Sequence, residues 1–304
     1  MRFGICILPQ SDWPEAAELW RGAEEYGFDH AWTYDHLSWR SLAGERWHAT
    51  VPTLTAAAMV TERIELGTFV ASPNYRHPVP FAKDIATVDQ ISGGRVLLGV
   101  GSGGTGFDAT VLGEPLLTPT ERFERFAEFT EVLDALLRFE GEPPQTDAAA
   151  SEDAGISYEG DWYRAVNARM VGAPPQHPRT PLHIAADGPK AMALAVRLGD
   201  GWVTTAGSID DTEEWWAYAA KLSRRLEAAC AAAGRDASTM PRTLLLDSSA
   251  RYALESVDAF ERAVGRAAEL GFTDVVAHWP REDGIYAGRR AVLDEVASRL
   301  PGLR

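Results

Sequence analysis

Cysteine is scarce in this 304-residue chain: only Cys6 and Cys230 occur. Neither sits in a CxxC or Cys/His spacing, which argues against a disulfide framework and a structural zinc site and fits a reducing cytoplasm. Long apolar runs are missing too, since no stretch approaches the roughly 18 residues of a membrane span. Residues 1–9 lack the length and cleavage site of a secretory signal and read as a first buried strand. Positive charge is in deficit: 29 Lys and Arg face 44 Asp and Glu, for a formal net charge of −15. The arginines are dispersed, so nucleic acid and anionic membrane surfaces are disfavoured as partners.

What the chain does have is alternation. Strand-like apolar runs fall at residues 3–8, 30–34, 64–71, 95–100, 182–186, 202–205, 243–248 and 274–278. Amphipathic stretches follow them near 13–26, 51–61, 80–91, 119–139, 189–198, 211–233, 256–270 and 286–300. In the first of these, Ala16, Leu19, Trp20, Ala23 and Tyr26 recur near the helical period, with Ser11 or Asp12 as N-cap and Gly27 as C-cap. Strands that alternate with helices need crossovers and a parallel sheet. Eight such pairs predict an α/β fold, a (β/α)8 TIM barrel, as one domain over residues 1–304. The rival is a doubly wound open sheet. Regularity breaks at 140–181, between the fourth helix and the fifth strand. That excursion is expected to hold a hairpin at 158–165 and an exposed Ala-rich stretch at 146–153.

In a barrel the site forms where the strands end. Asp35-His36 follows the second strand and puts a carboxylate beside an imidazole, a group that exchanges protons near neutral pH. The alternative is a histidine that caps backbone groups. Metal binding by Asp35, His36 and His278 lacks a short ligand spacing, and no metal is expected. The run Gly101-Ser102-Gly103-Gly104-Thr105-Gly106 matches G-x-G-x-x-G. That motif must open a helix directly, and the next helix begins only near Pro119, so the dinucleotide reading is rejected. Its bare N–H groups still suit an anion or a closely approaching ring. Gly188-Pro189, with Thr205, Ala206 and Gly207, forms a candidate phosphate site at a helix N-terminus. Of the ten tryptophans, Trp39 and Trp279 are the two expected in a pocket.

Several segments together resemble the luciferase-like flavin and deazaflavin oxidoreductases. They include Glu25-Tyr26-Gly27-Phe28-Asp29 leading to Trp32-Thr33-Tyr34-Asp35-His36, and Thr61-Glu62-Arg63-Ile64-Glu65-Leu66-Gly67. The most specific is Asp89-Gln90-Ile91-Ser92-Gly93-Gly94-Arg95, running on to Gly99-Val100-Gly101-Ser102-Gly103. Tyr158-Glu159-Gly160-Asp161-Trp162-Tyr163, Ala185-Ala186-Asp187-Gly188 and Gly199-Asp200-Gly201-Trp202 follow in order. Within that superfamily the chain looks most like the branch that uses coenzyme F420, an 8-hydroxy-5-deazaflavin. The resemblance implies hydride transfer to or from a small organic substrate, with His36 as acid/base and Asp35 orienting it. It places Asp35, His36 and Trp39 beside the ring and makes Phe69-Val70 a non-proline cis peptide behind it. Ser102, Gly103, Ala186, Asp187, Gly188 and Thr205 would hold the cofactor. Trp39, Thr205, Trp279 and Arg281 would meet the substrate. A homodimer is implied. Two departures stand out: Gly104 replaces the acid and Ser208 the phosphate-binding lysine of the branch's sugar-phosphate enzymes, so a sugar phosphate is not the expected substrate. The rival chemistry is an FMN-dependent monooxygenase using reduced flavin and O2; a non-catalytic barrel is a third reading.

Overall fold

The computed structural model describes residues 1–139, 155–172 and 174–304; the Ala-rich stretch at 146–153 lies outside them. Ten strands occur among the described residues: β1 (Arg2–Cys6), β2 (His30–Thr33), β3 (Glu65–Thr68), β4 (Val96–Val100), β5 (Ile156–Glu159), β6 (Arg164–Ala168), β7 (Leu182–Ala185), β8 (Gly201–Thr204), β9 (Arg242–Leu245) and β10 (Asp274–His278). Eight close a barrel in the order β1-β10-β9-β8-β7-β4-β3-β2. Every neighbouring pair in it is parallel. The remaining two, β5 and β6, make the antiparallel hairpin of the excursion. Among the described residues eight α-helices cover the barrel: α1 (Trp13–Glu25), α2 (Thr50–Val60), α3 (Pro78–Ser92), α4 (Pro119–Leu137), α5 (Pro189–Leu198), α6 (Thr212–Ala232), α7 (Val257–Glu269) and α8 (Arg290–Leu303). The predicted TIM barrel is the fold, and the doubly wound alternative is excluded by its closure.

Local chemistry explains the elements. All five residues of β4 and of β10 are buried, as a parallel strand between helices and barrel interior must be. The N-terminus of α4 is fixed by a capping box: Glu121 N–H donates to Thr118 Oγ1 at 3.3 Å, and Thr118 N–H donates to Glu121 Oε2 at 2.8 Å. Two expected boundaries move. The third strand stops at Thr68, where the Phe69-Val70 cis peptide follows; Ala71 then rejoins the sheet by a bridge to Val100. The last helix starts at Arg290 rather than near 286, because Tyr286 takes a left-handed φ of 61° that no helix accommodates.

Apolar side chains pack in two layers. Phe3, Trp20, Leu54, Phe81, Phe129 and Trp202 lie in the layer between strands and helices. Trp32, Leu97, Val203, Leu245 and Val276 fill the barrel interior. Gly67 makes that interior possible, since a Cβ there would sit 2.4 Å from the Trp32 ring.

Polar groups enter the interior as well. Trp32 Nε1 donates to His30 Nδ1 at 2.6 Å, and His30 Nε2 lies 3.1 Å from Asp274 Oδ1. Nearby, His183 is buried with no partner for its Nδ1 among the described residues. Burial lowers its pKa to about 4, with the Asp274 carboxylate pulling the other way. The unfolded chain therefore binds a proton near pH 6.5 that the fold excludes. Stability is complete above that pH and falls as pH drops from about 6.5 to 4, by roughly 3 kcal/mol for this group. Urea unfolding at several pH values measures it: His183→Leu should flatten the slope in that window relative to wild type, and an unchanged slope refutes the assignment.

Candidate active site

The strand C-termini open into a cavity of about 960 Å3. Side chains at the end of β2 alternate across the barrel wall. Tyr34 and His36 border the cavity; Asp35, between them, turns away from it. Its carboxylate is 1% exposed and accepts from Arg76 Nε at 2.8 Å, Arg76 Nη2 at 2.6 Å and Tyr75 Oη at 2.8 Å. Asp35 therefore neither touches the cavity nor orients His36, contrary to the sequence expectation. A buried carboxylate is held where a cation meets it, and Arg76 does not border the cavity.

A residue the sequence reading missed does orient His36. Asp108 Oδ2 lies 2.5 Å from His36 Nδ1, and Asp108 Oδ1 accepts the Leu37 N–H at 2.9 Å. Asp108 sits in a short helical turn, Phe107–Ala109, after β4; its side chain is 4% exposed against 31% for His36. The only signal available in the sequence was that Asp108 is the first acidic residue after that strand. With the carboxylate accepting at Nδ1, the Nε2 lone pair is free for a ligand. The loop that carries Asp108 also presents Phe107, Leu112 and Leu116 to solvent.

Aromatic rings form one wall. Trp39 stacks near Trp47 (centroids 6.2 Å, 21°) and Tyr286 (6.4 Å, 27°), and lies 5.2 Å from Tyr34. Phe69 and Val70 border the cavity beside it. Ser102, Gly103 and Gly104 also border the cavity, with Ala185 and Ala186. Gly101 belongs there because a Cβ would lie 2.7 Å from Val70 Cγ2. Gly103 has φ +76°, and a Cβ on it would meet Asn74 Oδ1 at 2.5 Å.

At the far end lie Asp187, Gly188, Thr205 and Ser208. Gly188 caps α5, Pro189 follows, and among the described residues no atom beyond its chain neighbours lies within 4 Å of where a Gly188 Cβ would be. First-turn N–H groups of the helix, which it cannot satisfy internally, and the positive end of its dipole are thus open to an anion. Burial raises the Asp187 pKa; Thr204 Oγ1, donating at 2.7 Å, and nearby Arg225 oppose the shift.

Two predicted substrate residues lie elsewhere. Trp279 packs outward, stacked 5.9 Å from Tyr26 with the Arg290 guanidinium 4.4 Å over its ring. Arg281 pairs with Glu45 at 2.9 Å and does not border the cavity. His278 is fully buried, and no cluster able to hold a metal occurs among the described residues. Besides Asp108, the sequence reading missed Tyr34, Asp247 and Tyr286, which all border the cavity.

A closed parallel barrel with an open, glycine- and aromatic-lined mouth is the framework of a ligand-binding barrel enzyme. The chain belongs to the luciferase-like monooxygenase family, whose model matches residues 1–291. It is 39% identical over 187 residues to an F420-dependent glucose-6-phosphate dehydrogenase of Beutenbergia cavernae, covering 61% of this chain and 50% of that one. It is 28% identical over 301 residues to a 5,10-methylenetetrahydromethanopterin reductase of Archaeoglobus fulgidus, covering 96% of this chain and 78% of that one. The matches to several of the glucose-6-phosphate dehydrogenases span about half the length of those relatives. Among solved structures, an F420-dependent secondary alcohol dehydrogenase in complex with an F420–acetone adduct superposes with a TM-score of 0.76 at 19% identity, covering 100% of this chain and 99% of that one; the likeness is one of fold.

Proposed function

We propose that this protein is a coenzyme F420-dependent oxidoreductase that moves a hydride between the deazaflavin and a small organic substrate. The relatives' names support the cofactor. The observation that carries the chemistry is His36, fixed by Asp108 at Nδ1 with its other nitrogen free at the cavity.

The residues present fit such a group. A cavity of about 960 Å3 has room for a tricyclic ring and its side chain. Gly101, where a Cβ would strike Val70, lets backbone line the ring's edge, and the uncapped start of α5 suits a phosphate. Phe69, Val70, Ser102 and Gly103 would flank the ring; Ala186, Asp187, Gly188 and Thr205 would lie along the chain that ends in the phosphate. When bound, the deazaflavin supplies hydride chemistry at its C5. His36 gives or takes the substrate proton at Nε2. Trp39 would shape the pocket and exclude water, and Thr205 would meet substrate or cofactor; both border the cavity. Gly104 and Ser208 both border the cavity, so at those two positions it carries neither the acid nor the lysine of the sugar-phosphate enzymes. A homodimer and a cytoplasmic location belong to the same reading and rest on the resemblance. No helix among the described residues is long and apolar enough to cross a membrane.

Fluorescence titration with F420 and with FMN tests the proposal, followed by a screen of oxidised and reduced small molecules. Micromolar F420 binding with weak FMN binding is expected. The reverse order supports the monooxygenase reading and overturns this one.

A further inference from the structure

A second acid–base chain lies beneath the aromatic wall, apart from His36. His278, the last residue of β10, has its Nδ1 3.0 Å from Asp247 Oδ2. The same oxygen accepts the His278 backbone N–H at 2.5 Å, and Asp247 Oδ1 accepts the Ala253 N–H at 2.7 Å. A carboxylate so committed is an acceptor, which assigns the imidazole hydrogen to Nδ1. Nε2 then offers a lone pair to Tyr34 Oη at 2.8 Å, so the tyrosine donates to it. Tyr34 and Asp247 border the cavity, and so does Tyr286, whose hydroxyl is 3.4 Å from that of Tyr34.

The arrangement is tightly built. The Tyr286 ring lies flat on the His278 imidazole, with centroids 3.6 Å apart and planes at 6°. It does so from a left-handed backbone, φ 61°, a conformation that costs a side-chain-bearing residue energy and clusters at functional sites. The ionisable groups facing Tyr34 are Cys6, Asp247, His278 and Tyr286, with the His36 ring centroid at 6.1 Å. Burial, reinforced by Tyr286 and Cys6, holds the Tyr34 hydroxyl well above the usual phenol range, so it is a protonated donor at neutral pH.

We propose that Tyr34 exchanges a proton with the molecule bound in the cavity, with His278 and Asp247 as positioning residues that relay it. The hydride in this scheme rests on the oxidoreductase reading; the proton path rests on the hydrogen bonds. Hydride transfer from a reduced deazaflavin to a carbonyl compound moves two protons, one onto the substrate oxygen and one off the ring. His36, as an imidazolium paired with Asp108, would supply the first and be left neutral with its lone pair at Nε2. Tyr34 accepts the second: an N–H of the ligand breaks, an O–H forms at Tyr34, and the tyrosine's own proton passes to His278 Nε2. Asp247 stabilises the imidazolium. Both electrons leave the ring with the hydride, and none enters the relay.

Two measurements test this, on wild type, Tyr34→Phe and Asp247→Asn, with urea unfolding to verify that each variant folds. Nitrogen-15 NMR of histidine-labelled protein should show His278 protonated at Nδ1, with its Nε2 resonance shifted in Tyr34→Phe. An Nε2–H tautomer, or a resonance unmoved by the substitution, overturns the relay whether or not any cofactor binds. Oxidation of F420H2 by menadione should slow by about 10²-fold in Tyr34→Phe, with a changed solvent isotope effect and F420 affinity within about two-fold of wild type. An unchanged rate and isotope effect overturn the relay. Failure of the wild type to bind F420 overturns the cofactor reading instead, and leaves the NMR result to judge the relay.

Discussion

His36→Ala should bind F420 with nearly wild-type affinity and lose about 10²–10⁴-fold in turnover, the usual contribution of a positioned acid–base group. The imidazole is one of many groups that border the cavity, Trp39, Phe69 and the glycine backbone among them, so its removal leaves those surfaces in place. Its Nδ1 is occupied by Asp108, which leaves Nε2 as its free nitrogen for a substrate proton. The measurement is steady-state kinetics with the substrate that the screen identifies, alongside the cofactor titration. Unchanged turnover with intact binding refutes the role; lost binding would make His36 a cofactor-holding residue instead.

Asp108→Asn should cost about 10²-fold or more in turnover, again with cofactor binding retained. The side chain keeps its size, so the loop keeps its packing. What changes is the hydrogen-bond pattern. Asp108 accepts at both oxygens, from His36 Nδ1 and from Leu37 N–H. An amide has one acceptor and one donor end. If the oxygen stays with Leu37, the NH2 faces Nδ1, and the imidazole moves its hydrogen to Nε2, on the cavity side. The base is then turned into a donor, as happens when an orienting carboxylate is amidated elsewhere. Turnover within a few-fold of wild type would show that the Asp108 contact merely holds the loop.

The barrel was legible because its signal is local. A buried strand, a turn and an amphipathic helix each declare themselves within a dozen residues, and eight repetitions leave few topologies. The site was legible only as positions along the chain. Asp35-His36 looked like a working pair because the two are adjacent, but successive side chains at a strand end face opposite ways. His36 enters the mouth, while Asp35 meets Arg76 outside it. The same alternation sends His278 inward and Trp279 out against Tyr26 and Arg290. The true partner, Asp108, is 72 residues away on another loop, and no local spacing encodes a contact of that range. Tyr286 was hidden for a different reason: its run reads as the start of α8, and only its left-handed backbone detaches it.

The surface-exposed Phe107 and the buried Asp108 are neighbours on one short turn. An engineer who grafts a related loop onto this scaffold to change substrate preference thereby also rewrites the tautomer setting of the histidine across the mouth. Under the proposed function, selectivity and proton chemistry would be inherited together here, and a transplant that drops the carboxylate would be expected to bind its new ligand yet leave it unreacted.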